Sequence, residues 1–204
     1  EELVEAGEGE VAHGGPRIPA ARLGELSALE TAADGAGLSL EGGRRLRALA
    51  EALRTGTGLG EVPKPAGLEG TLRDYQHDGF AWLQTLARHG FGGILADDMG
   101  LGKTIQALAH VLAEKEQGRL DRPALLVAPT SVVHNWVNEA RRFAPGLKVL
   151  VLHGPNRSER FPEIGRHDLV VTTYALLPRD RQTLTQHGYH VLLCDEAQNV
   201  KNAD

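Results

Sequence analysis

Residues 94–104 read ILADDMGLGKT, and the fold turns on how this stretch is understood. Ile94, Leu95 and Ala96 predict a short buried strand that stops at two carboxylates, Asp97 and Asp98. A glycine-spaced turn follows, Gly100-Leu101-Gly102, and then Lys103 and Thr104. Beyond them Ile105, Leu108, Ala109 and Leu112 fall at the i, i+3, i+4, i+7 spacing of a packed helix. Strand, glycine turn, Lys-Thr and helix in that order describe a phosphate-binding loop. Glycines allow backbone conformations closed to residues with a Cβ, so successive N–H groups can converge on one anion. The helix start adds unpaired N–H groups and the positive end of its dipole. Lys103 is then placed to reach the β- and γ-phosphates, and the Thr104 hydroxyl to ligate Mg²⁺. One departure stands out: the general pattern G-x-x-x-x-G-K-[ST] asks for glycine where this chain has Asp97.

A second element far downstream supports the first. Residues 190–194 (HVLLC) form another short apolar run, predicted as a strand, that ends in Asp195-Glu196-Ala197-Gln198. An Asp at a strand end can hold a metal through its water shell, and the next carboxylate can orient or deprotonate an attacking water. The plainer reading of this pair is a solvated strand end. Together, in order and each on its own strand, the two elements predict a nucleotide hydrolase site.

The 204 residues, 41% of them hydrophobic, suit one substantial domain with an appendage. No apolar run approaches the roughly 20 residues of a membrane span, so no membrane association is expected. The opening EELVEAGEGE is acidic, unlike a secretory signal. The lone Cys194 cannot form an intramolecular disulfide and is expected as a small buried core residue. Nine histidines show no metal-ligand spacing. An intracellular, cytoplasmic protein is expected. Residues 1–70 hold 12 acidic and 7 basic residues, whereas 71–204 hold 15 of each. No strongly basic domain announces nucleic acid, which argues against a sequence-specific DNA binder but not against a motor with a local basic groove.

Three parts follow along the chain. Residues 1–60 read as a partly helical segment, with helices expected at 23–30 and 44–54, the arginines of the latter on a solvated face. Residues 61–70, rich in Gly and Pro, read as a linker or extended lead-in. From 71 the nucleotide-site motifs and the strands begin. Gln76 sits just inside a helix whose apolar face is Phe80, Leu83 and Leu86. A glutamine there can offer a donor and an acceptor to an adenine edge, though a surface role is the simpler one. Residues 124–128 (ALLVA), 147–152 (LKVLVL) and 169–173 (LVVTT) are further apolar strands. A helix after Pro129-Thr130-Ser131 turns Val132, Val133, Trp136, Val137 and Ala140 to a core, a polar loop spans 153–168, and another helix starts near Tyr174. Alternating short strands and helices predict an α/β fold with a mainly parallel sheet flanked by helices. Ligands of such sheets lie at the carboxyl ends of the strands. The Lys103 loop, Pro129-Thr130, Thr172-Thr173 and Asp195-Glu196 would share that edge.

Five blocks, LRDYQHDGFAWL (72–83), DDMGLGKTIQAL (97–108), LLVAPTSVVHNW (125–136), VVTTYALL (170–177) and DEAQNVKN (195–202), resemble in sequence and order the motifs of the Swi/Snf-type ATPases of helicase superfamily two. The DEAQ form with Asn-Val-Lys-Asn after it is similar to the bacterial members. Where the family usually has Asp-Glu-Met-Gly-Leu-Gly-Lys-Thr, Asp98 replaces the glutamate, and the family loop likewise lacks the first glycine. The resemblance implies the first of two RecA-like lobes, with ATP and Mg²⁺ as cofactors. Gln76 would contact adenine, and Asp98, Met99, Gly100, Leu101, Gly102, Lys103 and Thr104 would surround the phosphates. Thr104 and Asp195 would serve the metal, Asp195 through water, and Glu196 would activate the attacking water. Pro129, Thr130, Thr172 and Thr173 resemble positions that touch a nucleic-acid backbone; for the threonines, strand-end hydrogen bonding is the plain alternative. Such contacts would carry no sequence information.

The motifs of the second lobe, whose arginines complete the site, are absent from these residues. Arginine fingers are worth about 10³–10⁵ in rate, so this chain by itself is expected to bind ATP weakly and hydrolyse it poorly. The implied function is half of a motor that translocates on double-stranded DNA, nucleoid-associated. The alternative is an ATP-driven remodeller of a protein complex such as RNA polymerase, which some bacterial relatives are.

Overall fold

The computed structural model describes residues 62–98 and 100–200. The helices expected at 23–30 and 44–54, and Met99, lie outside the described residues. Residues 62–84 and 94–200 belong to one compact unit; 85–93 belong to a second.

Four strands form one parallel sheet in the order β2-β3-β1-β4: β1 (Ala124–Ala128), β2 (Val149–Val151), β3 (Leu169–Thr173) and β4 (Leu192–Cys194). The central strands β1 and β3 are buried along their whole length, as parallel strands covered on both faces must be. Their pleat divides the core. Ala124, Leu126, Ala128, Leu169 and Val171 face one cluster; Leu125, Val127 and Val170 face the other, with Leu150, Leu152, Ile164 and Leu184. Fully burying an apolar side chain of this size contributes about 1.5–3 kcal/mol.

The first cluster is covered by helices whose apolar spacing is the one read in the sequence. These are α1 (Asp74–Arg88), α2 (Lys103–Glu116) and α3 (Val133–Phe143). Phe80, Leu108, Ala109, Leu112, Trp136 and Ala140 are all within this core. Val132 and Val137 are only half-buried. Residues 62–70 are an anchored lead-in: Val62 and Leu68 are buried, the amides of Ala66 and Gly67 donate to Glu116, and Glu69 N–H donates to Phe143 O.

The other face is closed by α4 (Leu177–Leu184) and by a 3₁₀ stretch, Arg157–Arg166. That stretch occupies the region read as a polar loop, because Ile164 supplies a fully buried anchor. Arg157 also clamps Asp180 on α4 with two parallel bonds of 2.7 and 2.8 Å.

Two expectations fail at the β4 side. Residues 94–96 form no strand, and Ile94 is 85% exposed. β4 is an edge of the sheet, and no described strand offers residues 94–96 a ladder, without which extended backbone has no hydrogen-bond partners. β4 itself is not buried: Leu192 is 60% exposed and Cys194 is exposed rather than in the core, since none of the described elements covers its outer side.

Candidate functional site

The four strands run parallel, so Pro129, Thr173 and Asp195 all emerge at one edge of the sheet. α2 reaches the same edge from its other end. Its last turns lie at the start of β4, where Glu114 accepts from His190, so its first residues, Lys103 and Thr104, point toward the strand ends.

The loop that feeds α2 is built on two left-handed glycines, Gly100 at φ 84° and Gly102 at φ 82°. Gly102 carries a second constraint: a Cβ there would fall 2.5 Å from Gln76 Nε2. α2 begins with no side-chain cap, so its first amides keep their donors for a ligand. Lys103 Nζ donates to the carbonyls of Asp97 (2.7 Å) and Asp98 (3.1 Å), which stations its ammonium across the loop. Asp98 is exposed and Thr104 half-buried.

Gln76 fastens this loop to α1. Its Oε1 accepts from Arg73 N–H at 3.0 Å and its Nε2 donates to Leu101 O at 2.9 Å. Each end of the amide keeps one further position, a lone pair and an N–H, which is what an adenine edge would use. Two loop supports escaped the sequence reading. Tyr75 OH also donates to Leu101 O, and buried Gln106 donates through Nε2 to Asp97 Oδ2 at 2.9 Å. Neither is set apart by spacing or residue type.

Asp195 extends the ladder of β4, its N–H donating to Val127 O at 2.9 Å. Its Oδ2 accepts from Trp136 Nε1 at 2.7 Å, and its carbonyl from Tyr174 OH at 2.8 Å. Burial first, then the neighbouring Cys194, Asp195 and Glu196, pushes the Tyr174 phenol up to about 12, which keeps it a donor. Glu196 adopts a left-handed conformation (φ 50°, ψ 53°), at roughly 1–2 kcal/mol for a residue with a Cβ. The turn around it compensates: Asn199 donates to its carbonyl from both backbone and side chain, and Gln198 Nε2 donates to its carboxylate. A bend of this kind turns the Glu196 side chain away from the strand's alternation.

Thr104 and Asp195 are hard oxygen donors of the kind Mg²⁺ takes, and Asp195 Oδ1 receives no hydrogen bond from the described residues. Among those residues no group of three or more His, Cys, Asp or Glu could hold an ion. An ion here would take its other ligands from phosphate and water, as Mg²⁺ commonly does.

The four positions expected on a nucleic-acid backbone divide. Pro129 and Thr130 open a 3₁₀ turn, with Thr130 exposed. Thr172 and Thr173 are buried at 0% and 1%; Thr172 Oγ1 donates to Leu152 O, and Thr173 Oγ1 has no partner among the described residues. Although Thr173 ends its strand at that edge, both side chains are buried within the covered sheet, so neither hydroxyl is exposed to a ligand.

The profile of the SNF2-related domain matches residues 75–204. The chain belongs to the SNF2-related family. YwqA of Bacillus subtilis strain 168, by its name a candidate ATP-dependent helicase/translocase, is 42% identical over 172 residues, which are 82% of this chain and 18% of that protein. Helicase swr1 of Aspergillus fumigatus is 41% identical over 150 residues, 70% of this chain and 9% of that protein. Among solved structures, the Sulfolobus solfataricus SWI2/SNF2 ATPase core in complex with dsDNA is similar at 39% identity and a TM-score of 0.64, covering 70% of this chain and 29% of that one. Its counterpart described as the core domain gives 39% and 0.62. The chain therefore spans less than a third of these relatives. In SNF2-related terms, the described residues contain a RecA-like sheet with the phosphate loop and the Asp-Glu pair at one edge.

Proposed function

We propose that this SNF2-related chain is the ATP-binding first lobe of a motor that translocates on double-stranded DNA, with Mg²⁺ as the accompanying ion. One arrangement supports this reading above others: the uncapped start of α2, carrying Lys103 and Thr104, and the braced Asp195 with Glu196 belong to one edge of a parallel sheet. Lys103 and the α2 amides would hold the phosphates, and Glu196 would orient the attacking water. Duplex DNA as substrate draws support from the likeness to a core solved with dsDNA. Pro129 and Thr130 are the contacts it leaves available, acting on phosphates. A second RecA-like lobe would complete the site, and a nucleoid-associated cytoplasmic setting follows from that substrate.

The test is ATP hydrolysis by this lobe joined to a second one, titrated separately with duplex DNA, single-stranded DNA and RNA at low and high salt. Stimulation by duplex alone, lost as salt rises, is the expected result, because phosphate contacts release counterions. Equal rates with and without nucleic acid would overturn the DNA reading and turn attention to a protein complex such as RNA polymerase.

A further inference from the structure

Phosphate-loop chemistry asks only that Asp195 stand at the end of its strand, yet the structure holds this residue at three atoms from three neighbouring segments. Its N–H is tied to β1 through Val127 O, its carbonyl to Tyr174 OH just after β3, and its Oδ2 to the indole N–H of Trp136 on α3. Trp136 is 59 residues away in sequence and 5% exposed. An indole N–H donates only, cannot ionise and cannot also accept, so its bond fixes one carboxylate oxygen in one direction. The other, Oδ1, takes no hydrogen bond among the described residues.

We infer that Trp136 is a positioning residue for Asp195: its N–H sets the carboxylate so that Oδ1, not Oδ2, serves the water shell of nucleotide-bound magnesium. The inference rests on reading Asp195 as the metal-facing carboxylate. Trp136 does not touch the nucleotide. It acts as partners behind metal ligands do, by removing the rotational freedom of the group in front. Phenylalanine at 136 keeps most of the apolar packing and deletes only the donor, so it isolates this role from the core role of the ring.

The sequence contains two tryptophans, Trp82 and Trp136. A Trp82→Phe background therefore leaves a single indole, whose ¹⁵N–¹H resonance reports the bond directly. In that background Asp195→Asn is expected to move the indole resonance. Trp136→Phe, in the otherwise native chain, is expected to raise the Mg²⁺ concentration for half-maximal binding of fluorescently labelled ATP about 10-fold, with binding in EDTA unchanged. An indole resonance indifferent to Asp195→Asn would overturn the contact. Equal weakening with and without Mg²⁺, or an unaltered Mg²⁺ requirement, would reduce Trp136 to a core residue. Lys103→Ala separates the two levels: if that variant binds labelled ATP as tightly as the native chain, the nucleotide-site reading fails, and the indole resonance continues to decide the Trp136 contact.

Discussion

The two ends of α2 are built on opposite principles. At its start, glycines in left-handed conformations, an uncapped turn and a lysine resting on backbone carbonyls leave donors available to a ligand. At its end, Glu114 is 1% exposed and saturated. Arg119 grips both its oxygens, at 3.0 and 2.5 Å. His190 reaches Oε2 at 2.9 Å, and Gln84 bridges Oε1 to His110 Nδ1. A buried charge is tolerable only when paired and hydrogen-bonded on this scale. The helix is thus clamped to the entry of β4 at one end and left uncapped at the end proposed to bind phosphate.

Removing the clamp should have the largest effect. Glu114→Ala strands Arg119 and His190 without their carboxylate and is expected to cost about 3–5 kcal/mol in denaturant unfolding. Lys103→Ala attacks the open end. It should lower ATP turnover of the two-lobed protein by about 10²–10³-fold, by analogy with loss of a single transition-state donor, while the melting temperature stays within a few degrees. A variant that lost stability at Lys103 and kept it at Glu114 would invert the comparison.

Acid should distinguish the ends without any substitution. Burial is the main reason His110 is lowered from 6.5 to about 4, with His190 and Arg119 adding to the effect and Glu114 opposing it. The unfolded chain takes up a proton below 6.5 that the folded one refuses. This contribution is therefore complete above pH 6.5 and is lost as pH falls toward 4, about 3 kcal/mol in all. Glu114 is lowered to about 2 by Arg119 and His190 acting against burial, and extends the loss from 4.5 downward. Unfolding free energy measured from pH 7 to 4 should decline along this course; a flat profile would mean that His110 titrates normally.

The smallest effect is expected at Thr173. Its hydroxyl is buried with no partner among the described residues, so Thr173→Val should change stability by less than about 1 kcal/mol. Duplex affinity of the two-lobed protein should not move, whereas Thr130→Ala should weaken it.

The open end was the legible one. Lys103 lies beside its glycines and Asp195 beside Glu196, so each half of the site is a short contiguous motif whose chemistry is written in spacing. Helical periods likewise placed Phe80, Leu108 and Trp136 in the core. The clamp left no such trace: Gln84, His110, Glu114, Arg119 and His190 are scattered over more than 100 residues, and each alone resembles a surface residue. The Trp136 bond to Asp195 is equally long-range. Residues 94–96 show the converse, an apolar triplet whose pattern was sufficient but whose pairing partner was not among the described strands. Thr172 and Thr173 were read from their place in a resembling motif, with strand-end hydrogen bonding as the alternative. Burial of β3 along its whole length, with Thr172 bonded to Leu152 O, agrees with the alternative for Thr172.

The pairing of Val127 with Cys194 has one more consequence. A parallel ladder works as a reading frame: side chains alternate with period two, so sliding β4 by a single residue would exchange Asp195 for Cys194 or Glu196 at the sheet's working edge. Insertions between α4 and β4 would spare that frame. A one-residue insertion or deletion within β4 would shift it, and Asp195-Glu196 would be intact in sequence and out of phase in space.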